Sequence, residues 1–199
     1  MFDKFDDWEN LYREFEQSLE LSDINEFVAL ITTTIESKLA EYKCKLDSSS
    51  STDFKNEYEY EDYRDYVSEL WNQSESTNLL ASELLIVALY KRIEIHFARL
   101  AKKYLRFPPS KKIGSVSELD KILPFNLNSL NGYSSFDELR LLNNSIKHDG
   151  RVSKKLASDY PAHWAEGVEF VNLRSSYSRL LPGVQIFVRE FVSKLQVIK

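Results

Sequence analysis

The chain has 199 residues, 43% hydrophobic and 29% charged, with five Gly and five Pro. That is enough apolar material for a core of one medium domain and too little Gly and Pro for a turn-rich β architecture. The formal charge of −5 hides an asymmetry: residues 140–199 carry ten Lys/Arg against five Asp/Glu, so they sum to +5 and the first 139 to −10.

Several classes drop out at once. The single Cys44 forms no intramolecular disulfide, so a reducing, cytoplasmic setting is expected. Met1 to Trp8 is acidic and aromatic, unlike a signal peptide. The longest apolar stretch, around Leu84 to Leu89, is too short for a bilayer, and no membrane association is expected.

In chain order, Phe2 to Leu19 reads as an amphipathic helix with Phe5, Trp8, Leu11, Tyr12 and Phe15 on one side. Asp23 is the expected N-cap of a second helix reaching Leu46 through Ile24, Phe27, Val28, Ile31, Ile35, Leu39 and Tyr42. The Ser-rich run Asp47 to Asp53 reads as a linker, which sets expected boundaries of 1–46, 47–56 and 57–199. Glu57 to Tyr66 alternates acids with tyrosines, the pattern of an exposed helix face or of a docking surface for a basic partner.

Thr77 or Asn78 is expected to start the strongest helix, running to Arg106 through Leu80, Leu84, Val87, Leu89, Tyr90, Ile93, Phe97 and Leu100. Its wide apolar arc predicts the central helix of a bundle, and His96 within it reads as a hydrogen-bonded structural residue. Arg99, Lys102, Lys103, Arg106, Lys111 and Lys112 form an acid-free basic cluster, either a solvated helix end or a phosphate-facing edge. Pro108-Pro109 stops the helix. Val116 to Ile122 predicts one short helix.

Ser134 or Ser135 is expected to cap the next helix, with Glu138 three residues after Ser135 completing a capping box. Asp149-Gly150 ends it. On that helix Arg140, Asn144 and His148 fall at i, i+4 and i+8 and form one polar stripe. Leu139, Leu142 and Ile146 share the core face. Arg151 to Asp159 reads as a basic loop, and Val168 to Leu173 as a short piece of uncertain type. A last helix spans Ser176 to Leu195, its core face being Ile186, Phe187, Phe191 and Leu195; Pro182 either kinks it or marks its start. The fold class is all-α, a bundle with an additional N-terminal helical pair.

Chemistry is sparse. There is no phosphate-binding Gly loop and no nucleophile elbow. His96, His148 and His163 are scattered without paired acids, so neither a metal nor a cofactor is expected.

The stretch Leu139-Arg140-Leu141-Leu142-Asn143-Asn144-Ser145-Ile146-Lys147-His148 resembles the signature of the HEPN superfamily, small helical bundles of toxin–antitoxin, abortive-infection and RNA-processing proteins. The family's hallmark is Arg, a polar residue, and His after four to six intervening positions. Here Asn143-Asn144 and His148 keep the spacing, with Asn143 at the usual Arg position and Arg140 one turn earlier. The helix from Leu84 to Tyr90 followed by Glu94, then the motif helix, a basic segment and a closing helix fit the same order, over roughly residues 78–199.

The resemblance implies a HEPN-like bundle and metal-independent endoribonuclease action at a homodimer cleft, in a defence or toxin–antitoxin setting. His148 would move a proton of the ribose 2′-hydroxyl or the leaving oxygen, and Arg140, Asn143 and Asn144 would stabilise or orient the phosphate. Lys147, Arg151, Lys154 and Lys155 would hold RNA phosphates, and an antitoxin or other protein could be a partner. The alternative from the residues themselves is a non-catalytic module of the same fold that binds RNA, a nucleotide or a partner protein, with His148 only closing its helix.

Overall fold

The computed structural model describes residues 4–108, 113 and 115–198, with side chains from residue 8 onward. It is all-α: α1 (Lys4–Gln17), α2 (Ser22–Ser48), α3 (Glu57–Tyr104), α4 (Val116–Asp120), α5 (Tyr133–His148), α6 (Lys154–Asp159) and α7 (Leu173–Val197), with two short 3-10 turns. No strand occurs among the described residues; the one extended pairing is an isolated bridge between Arg151 and Glu169. No described helix is long and apolar enough to cross a membrane.

Packing divides the chain at Leu21/Ser22 and Leu85/Ile86. One compact unit joins residues 1–21 with 86–199, and the other comprises 22–85. These cuts differ from boundaries placed at the Ser-rich run. Ser50 and Asp53 there form a reciprocal capping box around the Ser51–Asp53 turn. α1 and α2, expected as a pair, belong to different units.

α3 starts twenty residues before the expected Thr77. No Gly or Pro interrupts it. The Thr77 hydroxyl, expected at the start, instead donates back to the Gln73 carbonyl four residues earlier, as Ser74 does to Leu70 and Ser82 to Asn78. Its residues up to Leu85 belong to the 22–85 unit. In that unit Ile24, Ile35, Val67, Ala81 and Leu85 are buried, whereas Phe27, Leu80 and Leu84, expected inside, are exposed. Phe54 lies 5.4 Å from the Tyr60 ring and 5.2 Å from Tyr63, so part of the acidic tyrosine run leans on its own turn. α2 begins at Ser22, with Asp23 inside its first turn rather than at the cap.

The core of the larger unit is aromatic. Phe97 of α3 stacks on Phe191 of α7 with centroids 3.7 Å apart, and Phe136 of α5 stacks on Phe187 at 4.5 Å. Ile93, Leu139, Leu142, Val184 and Val188 are fully buried around them. α7 packs against both α5 and α1. Ile186, expected in this core, is exposed.

α7 begins at Leu173 and carries Pro182 inside it, so Pro182 does not mark its start. Buried Leu173, Tyr177 and Leu180 hold the turns before it. Beside it Gly183 admits α5: a Cβ there would land 2.1 Å from Ser135 Oγ. Gly132, with φ of 78°, is the N-cap of α5, and a Cβ on it would meet the Gly183 carbonyl at 2.1 Å. Glycine's backbone freedom and lack of a side chain therefore start this helix, not a Ser134 or Ser135 cap.

Candidate functional site

The motif residues stand along α5. Leu139, Leu142 and Asn143 are buried, Arg140 is partly covered, and Asn144, Lys147 and His148 are exposed. The helix closes as expected: the Asp149 and Gly150 amides both donate to the Ser145 carbonyl, and Gly150 takes φ of 62°.

Arg140 does not turn toward His148. Its Nε and Nη2 donate to Asp137 Oδ1 at 3.0 and 2.6 Å, one turn toward the helix start. Tyr160 closes the cluster, its hydroxyl donating to the Ser134 carbonyl at 2.9 Å and lying 3.3 Å from Asp137 Oδ2. Burial works against the guanidinium's charge, but Asp137 more than offsets this and keeps it firmly protonated. Burial pushes the neighbouring Tyr90 and Tyr160 hydroxyls each up to about 12, helped at Tyr90 by the Glu94 carboxylate. Eight residues of α-helix separate Arg140 from His148 by about 12 Å along the axis. The two are not brought together within one chain.

Asn143 is 1% exposed. Its Nδ2 donates to Asn144 Oδ1 at 3.2 Å, and its Oδ1 has no partner among the described residues. It cannot touch a substrate without a rearrangement of α5. The next residue, Ser145, is structural: its Oγ donates to Ser153 Oγ at 2.7 Å and accepts from the Ser153 amide at 3.3 Å. Ser153 in turn caps α6, so the expected loop from Arg151 to Asp159 is mostly helix.

Two of the four expected phosphate contacts are paired with the chain's own acids, Arg151 with Glu169 at 3.0 Å and Lys155 with Asp159 at 2.9 Å. Lys147, His148 and Lys154 are exposed, and their side chains make no hydrogen bond or ion pair among the described residues. A cavity of about 340 Å³ adjoins this end, with Val152, His163, Trp164, Asn172 and Ser176 in its wall. Its Arg179 is bound to Glu138. In the basic cluster expected at the end of α3, Lys103 pairs with Glu16 and Arg99 bonds His96; Lys111 and Lys112 lie outside the described residues. Glu94 pairs with Lys91 at 3.4 Å. No group of three His, Cys, Asp or Glu side chains among the described residues could hold a metal.

Sequence spacing missed the residues that fix α5 in place. Glu138, expected as half of a capping box, is 3% exposed and accepts from Trp164 Nε1 at 2.6 Å and from both Nη atoms of Arg179 at 3.0 and 2.5 Å. The only advance signal was its place on the apolar side of α5, between Phe136 and Leu142.

His96 has the structural role expected of it. It is 9% exposed, with Nε2 2.9 Å from the Glu16 carbonyl and Nδ1 3.3 Å from Arg99 Nη2. Both contacts suit a neutral ring that donates from Nε2 and accepts at Nδ1. Burial, reinforced by the Arg99 charge, depresses its pKa below 6.5 despite the Glu16 carbonyl. The unfolded chain therefore takes the proton first as pH falls, and the stability present above pH 6.5 is lost below it. Urea midpoints should decline from pH 7 to pH 5.5, and His96→Gln should flatten that slope; an unchanged slope would contradict the assignment.

A scan against protein-family models and searches of curated proteins and of solved structures found no match to this chain.

Proposed function

We propose that the chain is a HEPN-like helical module that binds RNA along the exposed edge formed by the C-terminal end of α5 and the start of α6, without cleaving it. The observation that carries this reading is the bonding of Arg140 to Asp137 together with the burial of Asn143. Cleavage of the kind the resemblance implies uses an arginine beside the imidazole to stabilise the charged phosphate, and within one chain Arg140 is held by Asp137 instead. The same edge offers what binding needs: unpaired Lys147 and Lys154 for phosphates, and Asn144 and His148 as partners for ribose hydroxyls.

A nuclease reading keeps one favourable observation, the open and uncommitted imidazole of His148. It would require a second chain to bring a guanidinium to that ring. The test is RNA affinity at two salt concentrations in EDTA, with cleavage followed in parallel. Binding should weaken as salt rises, and each of Lys147→Ala and Lys154→Ala should reduce the salt slope by about one. Arg140→Ala should leave affinity within about twofold, as expected for a cation away from the phosphates. Salt-independent binding, or none, would overturn the proposal.

A further inference from the structure

The basic run at the end of α3 is met by an acid from another helix. Arg99, Lys102, Lys103 and Arg106 stand in a stretch without Asp or Glu. The carboxylate held there is that of Glu16, in the last turn of α1. Its Oε1 accepts from Lys103 Nζ at 2.6 Å and its Oε2 from the Tyr104 hydroxyl at 2.5 Å. The Glu16 carbonyl lies 2.9 Å from His96 Nε2, and Gln196 Nε2 of α7 donates to the Arg13 carbonyl at 3.4 Å. Burial raises the Glu16 pKa, but the Lys103 and Tyr104 hydrogen bonds more than reverse this and hold it below its usual value. Without this turn of α1, His96, Lys103, Tyr104 and Gln196 would be left as donors around the space of a charged, oxygen-bearing group.

α1 covers these donors without being built into the core. None of its residues 8–17 is buried, and Trp8, Leu11, Tyr12 and Phe15 are 54–65% exposed, so its apolar side adds little to hold it down. A 14-residue helix is marginal by itself. Its attachment therefore rests largely on the polar contacts of Arg13, Glu16 and Gln17, the last of which bonds Gln196 at 3.1 Å. The helix ends at Gln17, and Leu21 is buried four residues later, which keeps the chain fastened when the helix lifts.

A carboxylate and a phosphate draw on the same ammonium and hydroxyl donors, and a phosphate brings one more oxygen and more charge. We infer that α1 is a strap over a phosphate-binding site formed by His96, Lys103, Tyr104 and Gln196, with the Glu16 carboxylate standing in for the phosphate until one displaces it. The site is far from the RNA edge. Asn131 meets Glu190 and Glu138 meets Arg179, so α5 runs antiparallel to α7. His148 therefore lies toward the start of α7, whereas Gln196 is in its last turn, and a 25-residue helix is about 37 Å long. The inference stands or falls independently of RNA binding.

The strap and the phosphate compete for the same donors, so the affinity of the site is reduced by the fraction of time that it is open. Hydrogen exchange of the α1 amides and titration with inorganic pyrophosphate, both on the full chain, read the two sides of that competition. Glu16→Ala should speed exchange of residues 8–17 about tenfold or more and tighten pyrophosphate binding by a similar factor. Adding Lys103→Ala should leave exchange fast and abolish the gain in affinity, which separates unfastening from binding. In the wild-type chain, saturating pyrophosphate should itself speed α1 exchange, and sodium chloride of equal ionic strength should do so far less.

The inference is overturned if Glu16→Ala leaves α1 exchange unchanged, or frees α1 without tightening pyrophosphate. It is equally overturned if the gain survives Lys103→Ala, or if chloride opens the strap as well as pyrophosphate does. Single-stranded RNA titrated onto the same variants identifies the source of the phosphate. A gain in affinity on Glu16→Ala assigns the site to nucleic-acid phosphates, and an unchanged affinity assigns it to free phosphate compounds.

Discussion

Glu138→Ala should lower the unfolding free energy by about 3 kcal/mol, the lower end of the range for a broken buried ion pair, because Arg179 retains 36% exposure. The carboxylate is 4% exposed and satisfies three donors from two separate segments, Arg179 of α7 and Trp164 of the turn after α6. Truncation strands the Trp164 N–H in a buried position and leaves the guanidinium to find water. Glu138→Gln, which keeps one acceptor for Trp164, should cost about half as much. Removing both charges by Glu138→Leu with Arg179→Leu should recover most of the loss, since apolar replacements of similar volume often match a buried pair. Urea denaturation of the three variants checks this. A loss below about 1 kcal/mol for the alanine variant would mean that the pair does not fix α5.

Phe97→Ala should be at least as damaging, about 3–5 kcal/mol, through lost burial and the cavity it leaves. The ring is fully buried and lies 3.7 Å from the Phe191 centroid, 5.7 Å from Phe187 and 6.3 Å from Phe136. It joins α3, α5 and α7 in a single aromatic cluster, so no one neighbour can collapse into the gap. Phe97→Leu keeps most of the volume and should cost about 1–1.5 kcal/mol. Thermal unfolding would separate the two, and equal losses would indicate that the aromatic stack is not the centre of the unit.

Periodicity made the helices legible where a stripe meets a wide core: Leu89, Ile93, Phe97 and Leu100 on α3, and Phe187, Phe191 and Leu195 on α7, are all buried. It failed at helix starts. Thr77 and Ser135 have the chemistry of caps, yet Thr77 bonds its own preceding turn, and Ser135 stands inside α5 against Gly183. The start of α5 is set by a long-range approach between Gly132 and Gly183, which no local pattern records. The amphipathic reading of α1 holds for Trp8, Leu11, Tyr12 and Phe15, the Phe5 side chain lying outside the described residues, but it carried no sign of direction. Its partners His96, Lys103 and Gln196 lie 80 or more residues away and take its polar side.

The candidate site was legible in part. The exposed stripe of Asn144 and His148, and the turn that ends α5, follow directly from 3.6-residue geometry and Asp149-Gly150. That geometry fixes where Arg140 begins but not where its long side chain goes. Asp137 is three residues upstream, the spacing at which helical side chains meet, and it captures the guanidinium. Asn143 lies on the core-facing boundary of the stripe, so its burial depended on how closely α5 is covered by its neighbours.

The most direct test is incubation of the purified chain with total RNA in EDTA, comparing wild type, Arg140→Ala and His148→Ala. The account predicts RNA that is retained in complex and stays intact with all three. RNA fragments ending in a cyclic 2′,3′-phosphate, produced by wild type and lost in His148→Ala, would contradict it.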